Sequence, residues 1–346
     1  MNRKLIGIVL WVVALLAFPP QPPNSDDEIF LYRAVQAASP NHLPLDQGQI
    51  GSCVAASHAG AIDTLHALNK GWFQKWKPVV IETIYGLARN EGKGYISHSH
   101  QAGSSGYAAT KALKNYGVTF QENYSAYGIN LADGYSVQRC GLWGAEGNGG
   151  PKDGLNGPFD EEAKKHPIYS CRVTDLDELD VMLKAGKPVT ICSSIGFNSP
   201  RDKDGFCKRA GKWSHCMWVA GKRNGGRKGY LIVNSWNAYL KGDGQNPSIK
   251  NKYLDQPDGS FYISPADMLA ILRFNDSWAL SLTDDFRAEE MPSYVFDPNG
   301  KAPNKLAVYV APNEQEQVPP NKNESSSVAK ACATCGRNDR RAFFRR

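Results

Sequence analysis

At 346 residues, with 41% hydrophobic and 21% charged side chains, the chain can bury a full core and is too apolar to be disordered throughout. Its formal net charge of +6 is concentrated at the C-terminal end, where Lys330, Arg337, Arg340, Arg341, Arg345 and Arg346 are set against Asp339. The remainder is close to neutral, which excludes a nucleic-acid-binding body for the folded part; a basic tail of this kind is usually solvated, and an anionic surface is the partner it would suit.

The first residues, MNRKLIGIVLWVVALLAFPPQPP, place Arg3 and Lys4 before an apolar run from Leu5 to Phe18 and then prolines, the layout of a secretory signal. The run is shorter than the roughly 20 residues that span a bilayer. Residues 1–23 therefore read as a signal peptide, with a retained N-terminal anchor as the alternative. Either way the expectation is export, to the medium or the periplasm. Eight cysteines permit disulfides in such a place without requiring them.

Residues 24–41 are polar, then mildly amphipathic, and lead into LPLDQGQIGSCVAAS at 43–57. From Ser52 onward Val54, Ala55, Ala59, Ile62, Leu65 and Leu68 recur at three- and four-residue spacing, which predicts a helix whose first turn holds Cys53. Two further helices are predicted within VVIETIYGLARN and GYAATKALKNYG. Residues 128–170, rich in glycine and aromatics with weak periodicity, read as loop with short strands. DLDELDVMLKAG predicts a helix and KPVTICSSIGF a strand, and WSHCMWVAGK and GYLIVNSW read as two strands joined through RNGGRK. Residues 24–284 thus form the folded domain. Residues 285–346 have the composition of a disordered linker and basic tail; the CATC near its end lacks further ligands and reads as a cysteine pair, not a zinc or redox site.

A thiol attacks as its thiolate, and a helix N-terminus beside a base lowers its pKa. Cys53 has the helix and needs the base. His58 lies about 140° around the helix from Cys53, His66 is too far along it, and His42, His98 and His100 fall in polar loops; without a third ligand the last two make no metal site. His215 opens a strand, and a two-residue turn on Asn224 and Gly225 sets it opposite Asn234, within side-chain reach. An asparagine oxygen there would hold the imidazole in one tautomer and leave its other nitrogen for the thiol. The Gln47 side-chain amide, with the Cys53 N–H, could then stabilise the oxyanion formed by attack on a carbonyl. Taken alone, Cys53 would be one more small buried helix residue. The ordered set of Gln47, Cys53, His215 and Asn234 is what favours chemistry.

QGQIGSC, SHCMWVAG and YLIVNSW, in that order, resemble the papain family of cysteine peptidases, over residues 29–284. The resemblance implies an α+β fold with a helical half, a β-rich half and the active-site cleft between them. It implies hydrolysis of peptide bonds in protein or peptide substrates through a thioester acyl-enzyme, by a monomer with no metal or organic cofactor. In it Cys53 is the nucleophile, His215 the base and acid, Asn234 its orienting partner, Gln47 part of the oxyanion hole, and Trp236 the shield of the His–Asn bond. Gly106 matches the glycine whose backbone bonds an extended substrate, and Cys192, Trp213 and Cys216 fall where the family lines its main specificity pocket. Cys192 and Cys216 by themselves read as packed thiols or one disulfide.

The same residues would serve another amide hydrolase or a transamidase. A catalytically inactive binding protein could keep the fold but would have no need of all four polar positions. The chain also departs from the family pattern. Ile50 and Val54 stand where the family usually has a cysteine and an aromatic, and QAGSSG lacks the cysteine that would complete the usual bridge, so both ends of that disulfide are missing together. The separation of Cys53 from His215 is somewhat wider than the usual 130 to 150 or so, an excess the stretch 128–170 can absorb. The long inhibitory pro-segment common in the family is also absent.

Overall fold

The computed structural model describes residues 28–43, 45–69, 75–92, 103–146, 158–198, 201–236 and 256–286. The expected signal segment, His98, His100, nearly all of the linker and the CATC tail lie outside the described residues. Among those described, no helix is long and apolar enough to cross a membrane.

The architecture is α+β, built on one antiparallel sheet. A short strand β1 (Ile29–Phe30) and helix α1 (Tyr32–Ala38) precede the predicted helix α2 (Cys53–Leu68), followed by α3 (Ile81–Glu91) and α4 (Gly106–Tyr116). A two-stranded ribbon, β2 (Asn123–Tyr124) and β3 (Ile129–Asn130), leads to α5 (Val137–Glu146), α6 (Pro158–Lys164), β4 (Tyr169–Arg172) and α7 (Leu176–Lys184). The long strands β5 (Val189–Phe197), β6 (Arg209–Arg223) and β7 (Gly229–Val233) come next, then β8 (Ser260–Ile263), α8 (Pro265–Leu272) and β9 (Ser277–Ser281). The sheet runs β4-β9-β5-β6-β7-β8, and β1 adds to β6 beyond the end of β5.

Both faces of this sheet are covered, which is why its central strands read as nearly continuous apolar runs. On one face Cys216, Trp218, Leu231 and Val233 join Val54, Ala55, Ala59 and Ile62 of α2 in one core. On the other, Met217, Val219, Tyr230 and Ile232 pack with Leu179, Met182 and Leu183 of α7 and Met268, Ile271 and Leu272 of α8. The α2 helix is buried almost throughout, and its small side chains let the sheet approach closely. A Cβ added at Gly60 would stand 2.6 Å from Trp218 Nε1.

Two expectations fail here. Among its described residues the stretch 128–170 is not mainly loop, since it contains α5 and α6. Its glycines argue against helix on propensity, but Gly144 is there for packing, against the ring of Tyr85. The second failure is the β6–β7 turn. Arg223 pairs with Gly229, so the connection spans 224–228 instead of a tight Asn-Gly pair. A register shift between Val219 and Gly221 then leaves Trp218 opposite Val233.

Gly117 ends α4 at φ +73°, ψ −156°, and a Cβ there would lie 2.0 Å from the Ala163 carbonyl oxygen. That backbone region is essentially reserved for glycine, and the obstacle is main chain that cannot rotate away. Gly117→Ala should therefore lower unfolding free energy by at least about 3 kcal/mol, read from urea denaturation. A loss below about 1 kcal/mol would show that the α4–α6 contact yields easily.

Candidate active site

His215 and Asn234 come together. His215 Nε2 lies 2.7 Å from Asn234 Oδ1, and the Trp236 ring stacks on the imidazole with centroids 3.8 Å apart and planes 25° from parallel. The route differs from the one the sequence suggested. Continued past Trp218 and Val233, the β6–β7 ladder sets His215 level with Trp236, the residue it stacks on, and Asn234 reaches the imidazole diagonally. Because the asparagine oxygen can only accept, Nε2 carries the proton and Nδ1 is the nitrogen left to face a thiol. Asn234 Oδ1 also accepts the Ser235 N–H at 2.7 Å, which fixes the amide's orientation.

The stretch carrying Gln47 is bonded to this same strand end. Asp46 bridges to Trp236, the Gln47 N–H donates to the Ser235 carbonyl at 2.9 Å, and the Ser235 hydroxyl donates to Gln47 Oε1 at 2.6 Å. Gln47 Nε2 donates to the Ile50 carbonyl at 2.9 Å, which spends one of its two hydrogens. Ser235 was not singled out in the sequence, although it sits directly after Asn234.

Cys53 is the first residue of α2, with no acidic side chain in the first turn to oppose the helix dipole. Relative exposure is 0% for Cys53, 1% for Gln47, and 2% each for His215 and Asn234. All four side chains are therefore buried. Ser52 precedes the helix without capping it; its hydroxyl lies 3.3 Å from Tyr135 Oη instead. Three other free thiols among the described residues, Cys140, Cys171 and Cys207, are pushed up to about 12 by burial and stay protonated at neutral pH.

Of the residues expected to contact substrate, Cys192 and Cys216 are directly opposed on β5 and β6 and form a disulfide, on the face turned to α2. Trp213 is not with them. The β5–β6 ladder slips between Ser193 and Ile195, and Trp213 packs against Phe197, Trp236 and the core on the other face. Gly106 is likewise differently employed. It opens α4 with its N–H already donated to Asp276 Oδ2 at 2.9 Å, so that amide is not offered to a substrate. The same buried carboxylate takes the Tyr107 N–H and the Trp278 indole N–H, an arrangement no local pattern announces because Asp276 is so distant in sequence.

No family model matches the sequence, and no curated protein matches it. Among solved structures, the chain is similar to xylellain, a cysteine protease from Xylella fastidiosa, at 17% identity and a TM-score of 0.47, over 74% of this chain and 86% of that one. It is also similar to a procathepsin B from Trypanosoma congolense, at 13% identity and 0.43, over 79% and 85%. A digestive procathepsin L 3 of Tenebrio molitor larval midgut stands at 13% and 0.40, over 74% and 70%. Likeness at this level carries nothing about chemistry, which has to come from the side chains.

The described histidines set aside in the sequence, His42, His58 and His66, are engaged elsewhere. His42 Nε2 meets Asp63 Oδ2 at 2.7 Å, and His66 is buried beside Phe120. His58 points away from Cys53, with Nδ1 on the Val54 carbonyl at 2.8 Å and Nε2 near Thr190 of β5. Burial lowers its pKa from 6.5 to about 4. The unfolded chain then takes up this proton first as pH falls. The contribution of the neutral ring is intact above about 6.5 and is lost towards pH 4, by roughly 3 kcal/mol. Urea midpoints at pH 7.5 and 4.5 should diverge less in His58→Gln than in the parent; an unchanged divergence would remove His58 from the acid sensitivity.

Proposed function

We propose that the chain is a papain-like cysteine peptidase, with Cys53 as nucleophile, His215 as general base and acid, Asn234 orienting His215, and Trp236 shielding their bond. The observation that carries this reading is the 2.7 Å His215–Asn234 bond beneath the Trp236 ring, on a strand end bonded to the stretch that leads into Cys53. With Nε2–H committed to Asn234, Nδ1 can hold the proton taken from the thiol, and the resulting thiolate is favoured further by the helix N-terminus.

The thiolate adds to the scissile carbonyl carbon, and the oxyanion faces the Cys53 N–H and the remaining Gln47 amide hydrogen. As the C–N bond breaks, His215 gives its Nδ1 proton to the leaving amine, and a thioester remains on Cys53. Water then adds to the thioester carbonyl while His215 takes its proton. Breaking the C–S bond releases the acid and restores the thiolate–imidazolium pair. The apolar segment after Arg3 and Lys4 supports export of the enzyme.

The test exposes purified protein to an epoxysuccinyl peptide and, separately, to casein. A single adduct mapped by mass to Cys53, together with cleavage of casein, is expected. No adduct on Cys53 and no cleavage would end the peptidase reading.

A further inference from the structure

The loop from Gln47 to Cys53 carries both proposed oxyanion donors, and the disulfide that would normally anchor it is missing, with Ile50 in the cysteine's place. What anchors it instead is a side chain from the glycine-rich stretch. Tyr135 Oη donates to the Gln47 carbonyl at 2.9 Å, at one end of the loop, and lies 3.3 Å from Ser52 Oγ at the other. A phenol has one proton, and the carbonyl can only accept it, so the Ser52 hydroxyl is the donor in the second contact. The Cys140 thiol is held beside both hydroxyls and, being neutral, neither competes for the chemistry nor adds charge.

Tyr135 is itself fixed from behind. The next residue, Ser136, donates its N–H to Glu82 Oε1 of α3 at 2.8 Å, and Arg139 binds the same carboxylate oxygen through Nε and Nη2 at 3.0 and 2.7 Å. Val137 of α5 packs against Gly48 within the loop, where an added Cβ would come within 2.7 Å of it. The phenol is thus a rigid strut anchored on α3.

We propose that Tyr135 is a positioning residue for the oxyanion site, its hydroxyl spanning Gln47 and Ser52 and so fixing the distance between the Gln47 amide and the Cys53 N–H. This rests on the peptidase reading above. The strut acts after the thiolate has formed: among the described residues no hydrogen bond joins it to His215, Asn234 or Trp236, and its effect falls on the stage at which charge builds on the carbonyl oxygen.

Tyr135→Phe keeps the ring and deletes the hydroxyl. Ser52→Ala deletes the other end, at a position whose side chain makes no helix cap, and serves if the first variant does not fold. Four quantities are compared with the parent: kcat and KM on a peptide excised from the casein digest, the inhibition constant of a peptide aldehyde, and the rate of Cys53 alkylation by iodoacetamide. The aldehyde adduct places an oxygen in the oxyanion site, whereas displacement of iodide needs only the thiolate.

Loss of an oxyanion donor itself costs about 10² to 10³, so loosening one should lower kcat about tenfold and weaken the aldehyde in parallel. KM and alkylation should stay within about twofold. A folded variant with parental kcat overturns the proposal alone. So does an equal fall in kcat and alkylation, which would make Tyr135 a support of the helix start. If the parent cleaves nothing and binds no aldehyde, the peptidase reading fails and the proposal falls with it.

Discussion

Cys53→Ala should lower peptide-bond cleavage by a factor of at least about 10⁴ while leaving the fold in place. The large factor follows from the proposed covalent route: without sulfur no thioester forms, and what remains is whatever the oxyanion donors and binding can do with water. The small structural effect follows from chemistry at the site, since one buried sulfur is deleted from a helix whose next residues stay packed. That deletion should cost on the order of 1 kcal/mol. Labelling gives an independent readout, because the other described free thiols stay protonated through burial. Epoxide incorporation should fall from one equivalent to none. Parental casein cleavage by Cys53→Ala, after removal of contaminating proteases by a second column, would sink the assignment.

His215→Ala is expected to be nearly as severe, about 10³ or more, since the imidazole acts once as acid and once as base. It should also change the thiol itself. With the imidazolium gone, alkylation by iodoacetamide should move from a rate already high near pH 6 towards the titration of an ordinary thiol at about 8.5. Asn234→Ala should cost less than either, near about 10², because the Trp236 stack continues to hold the ring when the 2.7 Å bond is lost. An alkylation profile for His215→Ala that overlays the parent at pH 6 would show that the base lies elsewhere.

Much of the scaffold was legible without coordinates. Spacing gave α2, α3, α4 and α7 to within a few residues, because each has a periodic apolar face and a recognisable end. It missed α6, and it missed α5, where packing of Gly144 against the Tyr85 ring overrides poor helix propensity. The pairing of His215 with Asn234 was anticipated through a tight turn that does not exist. The longer 224–228 connection and the shift near Gly221 displace the register, and the asparagine side chain reaches across the difference. The local pattern thus gave the right neighbourhood, and the turn argument alone would have placed the wrong pair directly opposite.

Substrate contacts were the least legible. Gly106 and Trp213 were assigned by position in a resemblance. One has its N–H taken by Asp276, 170 residues away, and the other stands three residues from Cys216 on β6, an odd spacing that sends its side chain to the opposite face. What the sequence by itself determined is the chemistry on offer: a thiol at a helix start, a glutamine before it, and a histidine and an asparagine on consecutive strands, since residue type and periodicity are local. Only the tertiary structure decided how these are held, through Ser235 on Gln47, Tyr135 across residues 47–52 and the Trp236 ring on His215. Those contacts join segments far apart in the chain, and their partners are fixed by packing, which leaves no periodic trace in the sequence.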